Sequence, residues 1–395
     1  MKEGWEYKKL GEVCSIARGG SPRPIKDYIT NDPNGLNWIK IGDTDMGGKY
    51  IYSTKEKIKP EGLKKSRWVE EDEFLLSNSM SFGRPYILKT NGCIHDGWLV
   101  LRDYQKYLNI DFFYYVLSSE NVQRQFRIKA QGSTVSNLNT DRVASVTIPI
   151  PPLSEQQSIV DYLDSAFAKI DAMKANAEKR LNEAKSLFQA SLKIMLEPKE
   201  GWEEKKLSEV VNILNGYAFP SKAFGDNQEL KVVKITNVGV GSFIEDISTL
   251  PQKMFIQDVC LKEGDIVIAL TRTIISEGLK RAIIPSSYDG AMLNQRVASL
   301  RFSGKINMSF LYYYLGCSIV SDYVWLHVNT LMQPNLSIKD LKSMPVCIPS
   351  LPEQQSIVET LDSLKSKVDR LQENYNKISQ ECDALKQAIL RQVFE

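Results

Sequence analysis

The sequence predicts a mixed α/β protein in which two pseudo-symmetric globular domains are joined by two long helices that form an antiparallel coiled coil. Three observations predict it: an internal duplication, two long segments without internal glycine or proline, and short strand-like runs separated by turn residues. The duplication is plainest at Pro151-Pro152-Leu153-Ser154-Glu155-Gln156-Gln157-Ser158-Ile159-Val160 and Pro349-Ser350-Leu351-Pro352-Glu353-Gln354-Gln355-Ser356-Ile357-Val358, which lie 198 residues apart in a chain of 395. Gly4-Trp5, Lys8-Lys9-Leu10 and Glu12-Val13 recur as Gly201-Trp202, Lys205-Lys206-Leu207 and Glu209-Val210. Phe112, Tyr114, Tyr115 and Leu117 recur as Phe310, Tyr312, Tyr313 and Leu315, and a weaker echo pairs Trp38-Ile39-Lys40-Ile41 with Val232-Val233-Lys234-Ile235. A period this long exceeds any solenoid repeat, so each copy is a domain plus a connector.

The expected order is a globular domain over 1–152, a long helix over 153–197, a second domain over 198–350 and a second long helix over 351–395. Within the domains, β-rich runs at 38–41, 74–76, 86–88, 98–101, 232–235, 265–270 and 297–302 are bounded by Gly, Asn, Asp and Pro, which read as strands and turns. One aromatic-rich helix is expected in each domain, over 111–126 and 308–326, its Tyr and Phe cluster packing as core against a sheet.

In the second connector the seam residues Ile357, Leu361, Leu364, Val368, Leu371, Tyr375, Ile378, Cys382, Leu385 and Ile389 hold an unbroken 4,3 spacing, which is a coiled-coil signature. The first connector runs Ile159, Leu163, Ala166, Ile170, Met173 and Ala177, then steps by four to Leu181, which implies a local change of phase. Ser154 with Gln157 and Ser350 with Glu353 fit capping boxes. Some 42 residues of helix make a rod of roughly 63 Å whose apolar seam needs a partner. The other copy in the same chain is the obvious one; a different protein or a second copy of this chain are the alternatives.

Composition excludes several classes. With 43% hydrophobic and 25% charged residues and no long apolar run, the chain reads as an ordinary cytoplasmic protein, and Met1-Lys2-Glu3-Gly4-Trp5 has no apolar signal region. Six cysteines without a CxxC pair and only two histidines argue against a zinc site, so reduced thiols and no metal are expected. Residues 1–152 carry 22 basic and 18 acidic side chains and 201–350 carry 15 and 14, a weak positive excess that permits a nucleic-acid partner without demanding one.

This layout resembles the specificity subunit of type I restriction–modification systems over the entire chain. The Pro-Pro-Leu-Ser-Glu-Gln helix start, the Gly-Trp starts, and the Asn-Leu pairs in Gly132-Ser133-Thr134-Val135-Ser136-Asn137-Leu138 and Met332-Gln333-Pro334-Asn335-Leu336 carry the resemblance. The first copy has Val-Ser before Asn-Leu where the second has Gln-Pro, so that turn is expected to differ. The resemblance implies a non-catalytic reader of double-stranded DNA. Each globular half would be a target recognition domain for one half of a bipartite, asymmetric site, and the paired helices would set the gap. It also implies two copies of an adenine-N6 methyltransferase subunit, which carries S-adenosylmethionine, and a restriction and translocase subunit that uses ATP.

The residues agree that chemistry lies elsewhere. There is no Asn-Pro-Pro-Tyr loop to hold a flipped adenine and no GxxxxGK[ST] phosphate loop, and Gly239-Val240-Gly241 lacks a third glycine. His95-Asp96 suggests a dyad but has no positioned Ser or Cys. Readout then falls to side chains in loops, Arg for guanine, Asn or Gln for adenine, Lys for phosphate. The candidates are Arg18, Arg23, Lys40, Arg67 and Arg84 in the first domain, with Ser81 and Phe82 in the same loop as Arg84. In the second they are Lys222, Lys234, Arg272, Lys280, Arg281, Gln295 and Arg296, and Arg84 and Arg272 are expected in corresponding regions. The rival reading is a tandem-domain coiled-coil scaffold that does not touch DNA, with a standalone nuclease behind it.

Overall fold

The computed structural model describes residues 4–44, 48–78, 83–130, 138–225, 227–275, 278–328 and 334–395. Ser81, Phe82, residues 132–137, Met332 and Gln333, singled out above, lie outside the described residues. The chain divides into two units, Met1–Glu178 with Tyr375–Glu395, and Lys179–Asn374. Each unit therefore holds a globular half together with part of both long helices, Leu153–Leu196 and Leu351–Phe394.

In the first unit an antiparallel ribbon pairs Glu6–Lys9 with Thr147–Ile150, tying the start of the globular half to its end just before the long helix. One five-stranded sheet runs in the order Ser15–Arg18, Trp98–Arg102, Phe74–Ser77, Pro85–Leu88, Tyr50–Ile51. A second runs Ile29–Thr30, Glu56–Ile58, Leu36–Ile39, Gly92–Ile94, Arg67–Val69. The near-continuous apolar runs follow from burial on both faces of the first sheet. Phe74, Leu76, Leu99 and Leu101 point into one core with Phe112 and Phe113, while Leu75, Val100 and Trp98 point into another with Ile39 and Ile94. Alternation with period two divides each strand between the two cores.

The second unit repeats this plan. Its ribbon pairs Glu203–Lys206 with Pro345–Ile348. Its main sheet runs Asn212–Asn215, Val297–Arg301, Ile266–Ala269, Arg281–Ile283, and Leu230–Val233 lies between Thr249–Leu250 and Met292–Leu293. An ion pair recurs at the same register: Arg102 donates to Glu73 at 2.9 Å, and Arg301 donates to Asp265 at 2.6 Å. All seven strand-like runs of the sequence overlap strands, though 38–41 and 232–235 leave theirs at Ile39 and Val233 for short turns.

The aromatic helix of each copy is two helices, not one: Ile110–Ser118 and Glu120–Ala130 in the first unit, Met308–Tyr314 and Ser318–His327 in the second. The break in the first unit is local. Ser119 is extended, and its hydroxyl bonds the Val116 carbonyl, offering the backbone an alternative to helix. The aromatic cluster is core, with Phe112, Phe113, Phe126 and Phe310 fully buried.

The duplicated signature has a structural explanation. Buried Gln156 accepts from the Asn109 N–H at 2.8 Å and donates to the Tyr107 and Pro151 carbonyls, while the Asn109 side chain caps the aromatic helix. Gln354 does the same for Asn307 at 2.8 Å and donates to the Pro349 carbonyl. Trp5 donates its indole N–H to Glu155 and Trp202 donates to Glu353, which joins the Gly-Trp landmark to the helix start. Ser350 and Glu353 keep the expected cap, with the Glu353 N–H on the Ser350 hydroxyl at 3.4 Å. Ser154 does not cap: the first long helix starts at Leu153, and the Pro152 carbonyl takes the first bonds. Gln156→Leu leaves one buried N–H and two carbonyls unpaired, so the first unit should lose about 3 kcal/mol. Urea melting of the full chain checks this, and Gln354→Leu should cost the second unit somewhat less.

In each unit the two long helices run antiparallel. In the first, Ile170 lies beside Cys382, and Val160 and Leu163 share a core with Leu390 and Phe394; Phe394 packs edge-on against Phe112 at 5.6 Å. In the second, Leu192 and Leu196 share a core with Ile357, Val358 and Leu361, and Lys185 donates to Gln372. Leu163, Ile170, Ile357 and Leu361 are buried, and Ile159, Ala166, Leu364, Val368, Leu371, Ile378 and Ile389 are half-buried.

Two seam expectations are overturned. Met173 is 59% exposed and Leu385 is 48% exposed. Lys174 and Lys386 take those places and pair reciprocally, Lys174 with Asp383 at 3.5 Å and Lys386 with Asp171 at 2.5 Å. The inward track steps 166, 170, 174 and 378, 382, 386, so the second helix also slips out of strict 4,3 spacing. The 4,4,3 spacing of 166, 170, 174, 177 and of 378, 382, 386, 389 averages about 3.67 residues per turn, close to an unsupercoiled helix. The lysine stems lie along the seam while their ammonium groups reach the carboxylates opposite.

Candidate nucleic-acid interface

Two of the first-unit candidates meet at one acidic residue, Asp96, and a third, Arg67, joins them through Arg18. Arg18 donates to the Asp96 carbonyl at 3.0 Å, Arg23 reaches the Asp96 carboxylate at 3.5 Å, and Arg67 donates to the Arg18 carbonyl at 2.7 Å. Ser21 donates to Asp96 at 2.6 Å and Asn78 to its carbonyl at 2.9 Å. The Ser21 hydrogen bond, against some desolvation, holds the Asp96 carboxyl below its usual range. Arg18 and Arg23 stay exposed, so a strongly basic loop is ordered around one carboxylate with its guanidinium groups facing solvent.

His95 braces this loop and is not half of a dyad. Its two ring nitrogens face the backbone N–H groups of Gly97 at 2.6 Å and Ile41 at 3.2 Å, and its nearest approach to the Asp96 carboxylate is 3.9 Å. Burial pushes its pKa down, so the ring is neutral. In the neutral ring one nitrogen accepts and the other carries the proton, and protonation would set a ring N–H against both backbone N–H groups.

Lys40 and Lys234 occupy equivalent places after their strands, and both are engaged. Their N–H groups are capped by Asp43 and Asn237, and their ammonium groups meet Glu56 at 2.6 Å and Asp246 at 3.6 Å. Arg84 is exposed and lines a cleft of about 900 Å³ with Tyr114, Lys49 and Lys386.

In the second unit Arg272 is exposed and held at φ 49°, a left-handed conformation uncommon for a residue with a Cβ. Lys280 donates to the Ile235 carbonyl at 3.1 Å, and burial, then the nearby Arg272, lowers its pKa. Gln295 and Arg296 are exposed on one loop, and Lys222 is exposed on the turn Ser221–Ala223. Arg281 is turned inward: its guanidinium lies 4.9 Å over the Tyr312 ring and donates to the Tyr312 carbonyl at 3.0 Å. Gly316 makes room for it, since a Cβ there would sit 2.0 Å from the guanidinium, so the half-buried Arg281 is tied to the Tyr312 segment whereas Arg272 is exposed.

Strand register also corrects one pairing. Ser77 donates to the Arg84 carbonyl and Ala269 to the Lys280 carbonyl, both at 3.1 Å, so the counterpart of Arg84 is Lys280 and not Arg272. The same hydrogen-bond pattern aligns the loops around Asp96 and Gln295. Gly19 and Gly216 donate to Trp98 and Val297, Gly20 and Tyr217 to Ile94 and Leu293, and Asn78 and Leu270 to Gly97 and Arg296. Both glycines are sterically required: a Cβ would lie 2.2 Å from the His95 carbonyl oxygen at Gly19 and 2.0 Å from that of Asn294 at Gly216. One backbone frame thus displays Arg18, His95, Asp96 and Gly97 in the first unit and Asn215, Asn294, Gln295 and Arg296 in the second. The sequence carries no local signal for Asp96 as a binding-loop residue, because its role depends on contacts 73 to 78 residues away.

Known proteins resemble the chain along its full length. The type I restriction modification DNA specificity domain matches residues 2–183 and again 199–380. The type I restriction enzyme MjaVIII specificity subunit of Methanocaldococcus jannaschii is 27% identical over 419 residues, spanning 99% of this chain and 92% of that one. The EcoBI specificity subunit of Escherichia coli is 20% identical, spanning 100% and 86%. Among solved structures, a chain from work on complex assembly and conformational transition of the type I R-M system has a TM-score of 0.75 at 20% identity, covering 100% of this chain and 98% of that one. The HsdS subunit from Thermoanaerobacter tengcongensis has a TM-score of 0.55 at 20% identity, covering 100% and 97%. No helix among the described residues is long and apolar enough to cross a membrane. The chain belongs to the family of type I restriction–modification DNA specificity proteins, the recognition component of such systems and not a catalytic one.

Proposed function

We propose that the chain reads a bipartite, asymmetric site in double-stranded DNA, one half-site per unit, and directs its partner subunits to that site. The observation that carries this reading is the shared loop frame: the same backbone hydrogen bonds in both units carry different side chains at the same positions. A frame of that kind suits two readers of two different sequences. Exposed Arg18, Arg23, Arg272, Gln295 and Arg296 supply the donors and acceptors that base edges need, with Lys222 and other cations suited to phosphate. Specificity subunits of type I systems work with methyltransferase and restriction subunits. Here we propose two copies of the methyltransferase subunit, carrying S-adenosylmethionine, and an ATP-dependent restriction subunit, all in the cytoplasm. The long helices, each 44 residues, would set the gap between half-sites.

Exchanging residues 1–150 for the corresponding domain of a relative tests the reading. The exchange carries both strands of the ribbon Glu6–Lys9 with Thr147–Ile150, so no strand is left without its partner. Methylome sequencing of cells that express the chimaera with the methyltransferase partner should show one half-site changed and the other intact. A single contiguous motif, or a change in both halves, would sink the proposal.

A further inference from the structure

In each unit one tripeptide links a short parallel-paired strand to a long central one. His95-Asp96-Gly97 joins Gly92–Ile94 to Trp98–Arg102, and Asn294-Gln295-Arg296 joins Met292–Leu293 to Val297–Arg301. Both tripeptides are closed by a turn of the same kind, Trp98 N–H to the His95 carbonyl at 3.1 Å and Val297 N–H to the Asn294 carbonyl at 3.0 Å. Their third residues accept from the adjoining strand, Asn78 to Gly97 at 3.0 Å and Leu270 to Arg296 at 2.8 Å. The backbone is therefore held at both ends in the same way in both units, and what differs is the side chains.

Those side chains are coupled. A Cβ on Gly97 would lie 2.1 Å from Cε1 of His95, so the imidazole fills the place that a side chain at 97 would need. Asn294 is smaller, and in its frame the third position carries the exposed Arg296. The first and third residues are exchangeable only together, and the middle residue, Asp96 or Gln295, lies between them.

The middle and third positions also differ in what they can recognise. An ionised Asp96 only accepts hydrogen bonds; Ser21 and Arg23 use part of its capacity and its side chain is 42% exposed. Next to phosphate such a group is repelled, but in the major groove it accepts from cytosine N4 or adenine N6. Gln295 donates and accepts, which matches adenine, and Arg296 donates twice, which matches guanine.

We propose that these two tripeptides are interchangeable specificity cassettes, each setting the base preference at one place in the half-site read by its own unit. The proposal rests on the recognition reading above and deepens it to named positions. The test uses the full chain, wild type and the triple variant H95N/D96Q/G97R, each selecting from a pool of random-sequence duplex DNA. The variant should select a consensus that differs from the wild type only within one half-site. Its binding to the wild-type consensus should fall about 5- to 150-fold, the range for one mismatched base pair. A variant that selects the wild-type consensus with unchanged affinity overturns the cassette and leaves the recognition reading standing. A wild-type chain that selects no consensus removes the recognition reading and the cassette with it. If the triple variant does not melt cooperatively, Asp96→Asn decides: it keeps the shape but adds a donor, so it should relax one position of one half-site, and an unchanged preference overturns the proposal.

Discussion

Asp265→Ala should cost the second unit about 3–5 kcal/mol, a large fraction of the stability of an ordinary domain. The Asp265 side chain is 4% exposed and receives Arg301 through two nitrogens, at 2.6 Å and 3.1 Å; Arg301 also donates to the Cys260 carbonyl at 2.7 Å. Removing the carboxylate leaves a guanidinium in a largely desolvated place. Most of the loss is the penalty of that uncompensated charge and not the net worth of the pair. Two comparisons separate these contributions. Replacing both partners together, as D265L/R301L, should recover a large part of the loss, because no charge is then stranded. Glu73→Ala, at the same register of the first unit, should cost less, since the Glu73 and Arg102 side chains are 20% and 30% exposed and solvent screens what remains. Urea denaturation of the full chain, read as two transitions, measures all three. A loss below about 1 kcal/mol for Asp265→Ala would place this pair with ordinary surface ion pairs.

Lengthening the two long helices together should change the gap of the methylated site and leave both half-site sequences alone. Four residues inserted after Glu178 and four after Asn374 fall where the two units divide, away from the buried Leu163, Ile170 and Leu361, with Leu181 the nearest buried seam residue. Each insertion adds roughly 6 Å of helix and rotates the downstream part of that helix by about 40° beyond whole turns. Duplex DNA rises about 3.4 Å per base pair, so the added length is close to two steps. The expected result is a gap longer by a small whole number of base pairs, or loss of methylation if the added rotation turns one unit off its face of the duplex. An insertion variant that methylates the same sequence with the same gap at the wild-type rate would show that the helices do not set the spacing. Inserting in one helix alone is a harsher change, because it breaks the register of pairs such as Lys174 with Asp383 and Lys185 with Gln372.

Much of this architecture is legible in the sequence because it is written in local periodicity and in repetition. The two helices follow from long stretches without internal glycine or proline, and the strands follow from short β-rich runs between turn residues. The duplicated Glu-Gln-Gln signature and the Gly-Trp landmarks announced two related units. Their physical role, Gln156 and Gln354 anchoring the aromatic helices, needed the tertiary contacts at 2.8 Å.

The finer assignments failed where a local pattern meets a neighbour. Met173 and Leu385 are apolar at the expected spacing, but the helix phase slips and puts Lys174 and Lys386 inward, since an α-helix does not keep a strict seven-residue repeat unless its partner supercoils with it. Arg281 looks like Arg272 in sequence, yet the space over Tyr312 and beside Gly316 turns its guanidinium inward while Arg272 stays exposed. Sequence by itself determined the family, the duplication and the two long helices, because each depends on residues close together in the chain or repeated along it, whereas the break in each aromatic helix was not legible there. Only the tertiary structure decided which charged side chains face outward and which positions in the two units correspond. Both depend on hydrogen bonds between residues tens of positions apart, such as Ser21 with Asp96, whose energies no local pattern records.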